Sequence, residues 1–344
     1  MNCHSKKCFL LAVGVLLFAV TSLTHAQTLK VATLAPEGSG WMKEMRAGAA
    51  EIKQRTERRV EIKFYGGGVQ GNDKQVRRKM RIGQLHGGAF SSTALLMFQP
   101  EATLYGMPLL FNNLEEVQFV RERMDGKIRR LLEQAGYVNF GFAGAGFAYL
   151  MSNRSIASLD DMQGLKIWIP EGDIMSYGAI RALGISPPIA MSLTDVLTGL
   201  QTELIDTIMG PPAATIILQW NTGVSHITEV PLAYVYGILV VGKKFFDRIA
   251  KTDQAVVREV MEQVYRGFDE QGNKDNVAVF KALLDDGMQR VALDEDQFDI
   301  WRSAVEKSNH ELTSGGAMDT RLMDEIECYI AAFRTGSPEQ DCIQ

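Results

Sequence analysis

The stretch Leu29-Lys30-Val31-Ala32-Thr33 sets apolar side chains at alternate positions, as a half-buried strand requires. A turn with Pro36 and Gly38 follows, and Trp41, Met45, Ala49 and Ile52 then recur at helical spacing. Val60, Ile62 and Phe64 alternate again as a second strand, and a glycine-rich loop spans 66–71. A basic helix is predicted over 73–82 and a short strand over 85–90. This β-α-β-α-β order predicts parallel strands with helices on both faces of a sheet, an α/β architecture.

The same reading extends along the chain. Asn113 is placed to start a helix that carries Val117, Val120, Met124 and Ile128 on one face. Two strand-like runs, 138–142 and 147–151, come next, and Leu165, Ile167 and Ile169 put one face of a further strand in a core. Helices over 175–183 and 194–201 alternate with short strands near Ile189 and Ile205. The run 233–241 is nearly all apolar, as a strand buried on both faces should be. From about Asp253 the chain reads as helical, with Asp294 as the expected cap of the helix that carries Phe298.

The N-terminus has its own signature. Lys6 and Lys7 precede an apolar run over 9–20, and Thr24 and Ala26 stand where a signal peptidase cuts. Residues 1–26 are therefore expected to be a signal peptide, cleaved near Ala26, with the mature chain in the periplasm. The apolar run falls short of the about 20 residues that a membrane-spanning helix needs. No later stretch qualifies, so no stable membrane insertion is expected. The formal net charge of −5 speaks against nucleic acid as a partner. Two of the four cysteines lie in the leader, and Cys328 and Cys342 are expected to pair in an oxidising compartment.

Motifs of chemistry are sparse. Gly66-Gly67-Gly68-Val69-Gln70-Gly71 satisfies the dinucleotide pattern between a strand and a helix. The acidic residue that such a site uses about 20 residues on is missing, since Phe90, Ser91 and Ser92 occupy that region. The loop reads instead as a turn at the mouth of a cleft. No nucleophile elbow and no paired histidines with metal-ligand spacing occur, so neither an enzyme, a cofactor nor a metal is expected. Aromatic and small polar residues do gather at the ends of predicted strands, where α/β folds bind ligands. The candidate ligand-binding residues are Trp41, Tyr65, Ser91, Ser92, Thr93, Phe147, Tyr149, Trp168, Glu171, Met209, Gly210, Trp220, Tyr234 and Tyr236. Trp168 stands out, because it faces away from Leu165, Ile167 and Ile169 beside the turn Pro170-Glu171-Gly172.

Several landmarks occur in order: the opening strand with Pro36-Glu37-Gly38, then 83–90 (GQLHGGAF), then 107–111 (MPLLF). After them come 159–168 (LDDMQGLKIW), 183–185 (LGI) and 200–206 (LQTELID). Over essentially all of the mature chain this resembles the solute receptors of TRAP (tripartite ATP-independent periplasmic) transporters, the dicarboxylate-receptor-like family. The resemblance implies a two-lobed periplasmic binding protein with crossing strands and a long helix spanning both lobes. One lobe would be 27–147 with 237–280, the other 148–236 with 281–344, with hinges near 144–148 and near Gly237. It implies a small organic ligand held between the lobes and delivery to TRAP-type membrane permease subunits.

The family's carboxylate clamp is an arginine after the Gly-Leu-Lys-Ile motif, and Trp168 stands at that position here. Gly210 stands where relatives place an amide or an acid before the proline. Both departures predict a neutral or apolar ligand rather than a simple carboxylate, unless Arg154 or Arg181 supplies the cation. A binding protein serving an ATP-driven transporter or a sensor is the alternative of the same shape. An exported nucleotide-dependent enzyme using the glycine loop is the remote one.

Overall fold

A computed structural model describes residues 26–336 and Cys342. The expected signal segment lies outside the described residues apart from Ala26. The strands are β1 (Gln27–Ala32), β2 (Val60–Tyr65), β3 (Gly87–Ser91), β4 (Tyr137–Ser152), β5 (Trp168–Pro170), β6 (Ile189–Met191), β7 (Thr207–Gly210), β8 (His226–Gly242) and β9 (Gln289–Val291). The helices are α1 (Gly40–Arg55), α2 (Asp73–Arg81), α3 (Leu114–Gln134), α4 (Ile174–Ala182), α5 (Val196–Gln201), α6 (Pro212–Ile217), α7 (Lys243–Phe246), α8 (Lys251–Asp285), α9 (Glu295–Leu312) and α10 (Thr320–Thr335).

Seven strands form one mixed sheet in the order β2-β1-β3-β8-β4-β7, with β9 also paired to β8. The opening β-α-β-α-β reading holds, since β1 pairs parallel to both β2 and β3. Beyond it the ladders of β8 with β3 and β4, and of β4 with β7, are antiparallel. The two runs expected at 138–142 and 147–151 are one strand, β4. Its pairing with β8 shifts register between Asn139 and Phe142 and again between Gly144 and Gly146, which interrupts the apolar periodicity that a single strand would show. The apolar run 233–241 is central, as expected, between β3 and β4. The strand expected around Leu165 is confined to Trp168–Pro170, preceded by a single bridge from Ile167 to Thr207, and Asp294 precedes α9 without a side-chain cap bond.

β4 and β8 cross the molecule. Their 137–144 and 236–242 ends carry β3, and through it β1 and β2, while the opposite ends carry β7 and β9. Alternation along β8 feeds two cores: Ile238 and Val240 join the side of α3 and α10, and Leu239 and Val241 join the side of α1 and α8. In the other half, Leu150 and Ile169 join Ile180, Trp301 and Val305, whereas Met151 and Trp168 join Val196, Ile208 and Trp220. Each fully buried aliphatic side chain stabilises the fold by about 1.5–3 kcal/mol.

Helix α8 has 35 residues, roughly 50 Å of helix. Val257 and Met261 pack with α1, and Leu283 packs with the Trp168 group, so this helix spans both halves. It packs tightly on the sheet at Gly272, where a β-carbon would lie 2.0 Å from the carbonyl oxygen of Gly144.

The tail corrects the expected grouping of 281–344. Helix α9 does pack with the second half through Trp301 and Val305. Helix α10 returns to the first, where Ile326 and Ile330 enter the core of α3 and Arg334 pairs with Glu116 at 2.8 Å. Cys328 and Cys342 are bonded there, as expected. A terminal helix follows the largest apolar face left open to it, and its own sequence does not say whose face that is.

Candidate functional site

The C-terminal ends of β3, β5 and β7 converge on a cavity of about 230 Å³ between the two halves. Ser91, Ser92 and Thr93 bring hydroxyls from the first half, and the Ser91 and Thr93 hydroxyls lie 3.1 Å apart. Ala148, Leu150 and the segment Ala233–Val235 of the crossing strands form one wall. The second half contributes Trp168, Ile180, Met209, Gly210, Trp220 and Trp301.

Trp168 is 2 % exposed. Its indole N–H donates to the Met191 carbonyl at 3.1 Å, and its ring meets Trp220 edge to face with centroids 5.2 Å apart. Such a pair contributes about 0.5–1.5 kcal/mol beyond its buried area. Gly210 lies beside this pair, where a β-carbon would stand 3.4 Å from the Trp220 ring, an ordinary van der Waals contact. The polar atom of Trp168 is thus spent on the protein, and the cavity receives aromatic carbon.

One acid is among the described lining residues. The buried Asp173 caps α4, accepting from the backbone N–H groups of Met175 and Ser176 and from the Ser176 hydroxyl at 3.1, 3.0 and 2.7 Å. Burial nevertheless raises its pKa above the usual carboxylate value. No Lys, Arg or His is among the described lining residues. Arg154, spent on the Gln163 carbonyl at 2.7 Å, and the exposed Arg181 both lie away from the cavity.

Of the residues expected from sequence, Ser91, Ser92, Thr93, Trp168, Met209, Gly210, Trp220 and Tyr234 meet at this cavity. The others do not line it. Trp41 stacks on Phe268 at 4.5 Å, Tyr65 sits under Lys63, and Phe147 packs against Tyr234. Tyr149 packs on Phe280, and the buried Tyr236 donates its hydroxyl to the Ala102 carbonyl. Phe147 and Tyr149 alternate with the cavity residues Ala148 and Leu150 along β4, and the pleat turns them to the opposite face, whereas Tyr236 stacks on Tyr234 outside the cavity. Glu171 lines a second cavity of about 140 Å³ at the mouth, where its carboxylate pairs with Lys74 at 2.7 Å. The literal glycine motif stands at this mouth as well, with Gly68 close to Thr194 of the other half. Sequence reasoning missed Asp173, Ser176 and Trp301. Asp173 carries the ordinary signature of a helix cap, and Trp301 lies on a helix whose facing partner only the tertiary fold selects.

Behind the cavity, Tyr234 is tied to a buried cation. Arg121 donates to the Tyr234 hydroxyl at 3.0 Å, to Asp269 at 2.7 Å and to Asp125 at 3.1 Å. Asp269, on α8, also accepts from the Gly144 N–H at 2.8 Å. Burial pushes the Tyr234 phenol up to about 12, so it remains a hydrogen-bond donor at neutral pH. The network ties the spanning helix to both crossing strands at the glycine-rich point of β4.

Two halves on crossing strands, enclosing a cavity at strand ends, define a solute-binding protein. The chain belongs to the bacterial extracellular solute-binding proteins of family 7 (DctP), whose profile matches residues 31–314. It is 22 % identical over 249 residues to the C4-dicarboxylate-binding periplasmic protein DctP of Rhodobacter capsulatus, covering 70 % of this chain and 73 % of that one. It is 26 % identical over 212 residues to an uncharacterized protein of Haemophilus influenzae, covering 60 % of this chain and 62 % of that one. A TRAP periplasmic solute binding protein from Haemophilus influenzae with bound L-gulonate shares the fold with TM-score 0.79 at 20 % identity, covering 88 % of this chain and 98 % of that one. Another, from Sulfurospirillum deleyianum with bound succinate, gives 0.78 at 18 %, covering 87 % and 98 %. The protein is a periplasmic-type binding protein and not an enzyme. Among the described residues no helix is long and apolar enough to cross a membrane.

Proposed function

We propose that this protein captures a neutral or largely apolar organic molecule between its lobes and delivers it to the permease subunits of a TRAP-type transporter. The observation that carries the ligand class is a cavity walled by Trp168, Trp220 and Trp301, with one already-capped acid and no cation among its described lining residues. A buried carboxylate ligand needs a partner charge, and an unpaired anion in such a site faces a desolvation cost of several kcal/mol. Relatives of this fold hold succinate and L-gulonate. Trp168, where the resemblance implied an arginine, presents an indole in place of the bidentate guanidinium that grips an acid.

Capture works by population shift between open and closed forms, the closed one being read by the permease. Residues 27–147 with 237–280 form one lobe, to which α10 adds its packing, and 148–236 with α9 form the other. Rotation falls near Gly144 and Gly237, where the strands pass between lobes, and the Lys74–Glu171 pair closes the mouth. The mature chain is exported by its leader, cleaved near Ala26. Native mass spectrometry of the purified mature protein, with identification of any released molecule, tests the ligand class. A neutral or apolar compound supports the proposal, and a stoichiometric organic acid overturns it.

A further inference from the structure

The second cavity is continuous in its walls with the first, and the two differ in chemistry. Ser91, Thr93, Pro170 and Leu193 line both. The inner one is aromatic and aliphatic. The outer one, about 140 Å³, is lined by Asn72, Asp73, Lys74, Glu171 and Ser192 as well as by aliphatic groups. Its charges do not balance. Lys74 is engaged by Glu171 at 2.7 Å, which leaves the Asp73 carboxylate facing this space with no cation paired to it among the described residues. Burial raises the Asp73 carboxyl to about 6, as the missing compensation requires. Across both cavities the described lining holds three carboxylates, Asp73, Glu171 and Asp173, against one ammonium, Lys74.

We infer that the ligand is an amphiphilic amine, whose apolar body fills the inner cavity and whose ammonium head lies in the outer one against Asp73. This rests on the apolar reading of the inner cavity and adds to it a head group and a second subsite. An ammonium supplies the positive charge that Asp73 lacks, and it donates three hydrogen bonds to an acceptor-rich wall. A carboxylate head would meet Asp73 and Glu171 with only a committed lysine to receive it. A hydroxyl head would donate a hydrogen bond but leave the charge on Asp73 uncompensated. The inner cavity of about 230 Å³ has room for a body on the scale of a phenylalkyl group.

The test is calorimetric titration of the full mature protein, at pH 7.5 and low salt, with 4-phenylbutylamine, 4-phenylbutanol and 4-phenylbutyrate. The amine is expected to bind at least tenfold more tightly than the alcohol, with the acid weakest. In Asp73→Asn the amine-to-alcohol affinity ratio should fall to near one, and thermal melts of the variant verify its fold. Equal amine and alcohol affinities in the wild type, with no change in their ratio in Asp73→Asn, would overturn the head-group assignment and leave the apolar reading standing. Tightest binding of the acid would overturn both. Failure of all three to bind while succinate binds would reject the apolar reading on which this inference rests.

Discussion

Replacing Trp168 with arginine restores the cation that the family resemblance implied, in a site built without it. The substitution removes the hydrogen bond to the Met191 carbonyl, about 1 kcal/mol net, and the edge-to-face pair with Trp220, about 1 kcal/mol more. It also buries a guanidinium where Trp168 is 2 % exposed, in a cavity whose one described acid is already committed to three donors. A buried charge without a partner costs about 3–5 kcal/mol. Trp168→Arg is therefore expected to destabilise the protein by roughly 5–7 kcal/mol, a fall in melting temperature of at least about 10 °C at 2–4 °C per kcal/mol. Succinate should return part of that loss to the variant, because an anion would then have a partner, and should leave the wild type unmoved. Differential scanning calorimetry of both proteins with and without succinate reads every part of this. A variant melting within about 3 °C of wild type would refute the reasoning, since a cation would then be accommodated in the cavity wall. A wild type stabilised by succinate would refute it more directly.

Three further expectations follow from the geometry. Gly272→Ala drives a β-carbon to 2.0 Å from the Gly144 carbonyl oxygen, and because that atom is backbone the helix must move; a loss of about 3 kcal/mol or more is expected in urea titrations. Arg121→Met leaves Asp125 and Asp269 uncompensated at the crossing strands and should cost about 3–5 kcal/mol, with amide exchange rising first along β4 and α8. The Asp73 carboxyl has a folded-state pKa of about 6 against 3.8 when free, so the folded state holds its proton more tightly. Its destabilising contribution is accordingly absent below about pH 3.8 and grows as pH rises to about 6. Asp73→Asn removes it, so the difference in melting temperature between variant and ligand-free wild type should grow across that window and level off above it.

Much of the architecture was legible in the chain itself, because short periods report burial directly. The alternation of Leu29, Val31 and then Val60, Ile62, Phe64, broken by a helical period over 41–52, encodes two parallel strands and their crossover without reference to anything distant. The unbroken apolar run 233–241 encodes a strand covered on both faces, and the geometry agrees. Where the period itself is disturbed, the reading failed. The register shifts at Gly144 made one strand look like two, and the short pairing of Trp168–Pro170 depends on a neighbour 21 residues away rather than on its own composition.

The site divides along the same line. Leu165, Ile167 and Ile169 against Trp168 is a local alternation, so the chain alone determined that the indole would face away from that core. The order of its landmark motifs also pointed to the receptor family whose profile matches residues 31–314. Only the tertiary structure decided which aromatics share a cavity. Trp168, Trp220 and Trp301 come from three separate segments, while Tyr236, next but one to Tyr234, is buried elsewhere with its hydroxyl on Ala102. Only the fold, too, carried α10 back to α3 and set Lys74 against Glu171 across the mouth. Pairings of this kind depend on which surfaces remain open once the strands have crossed, and no stretch of sequence records that by itself.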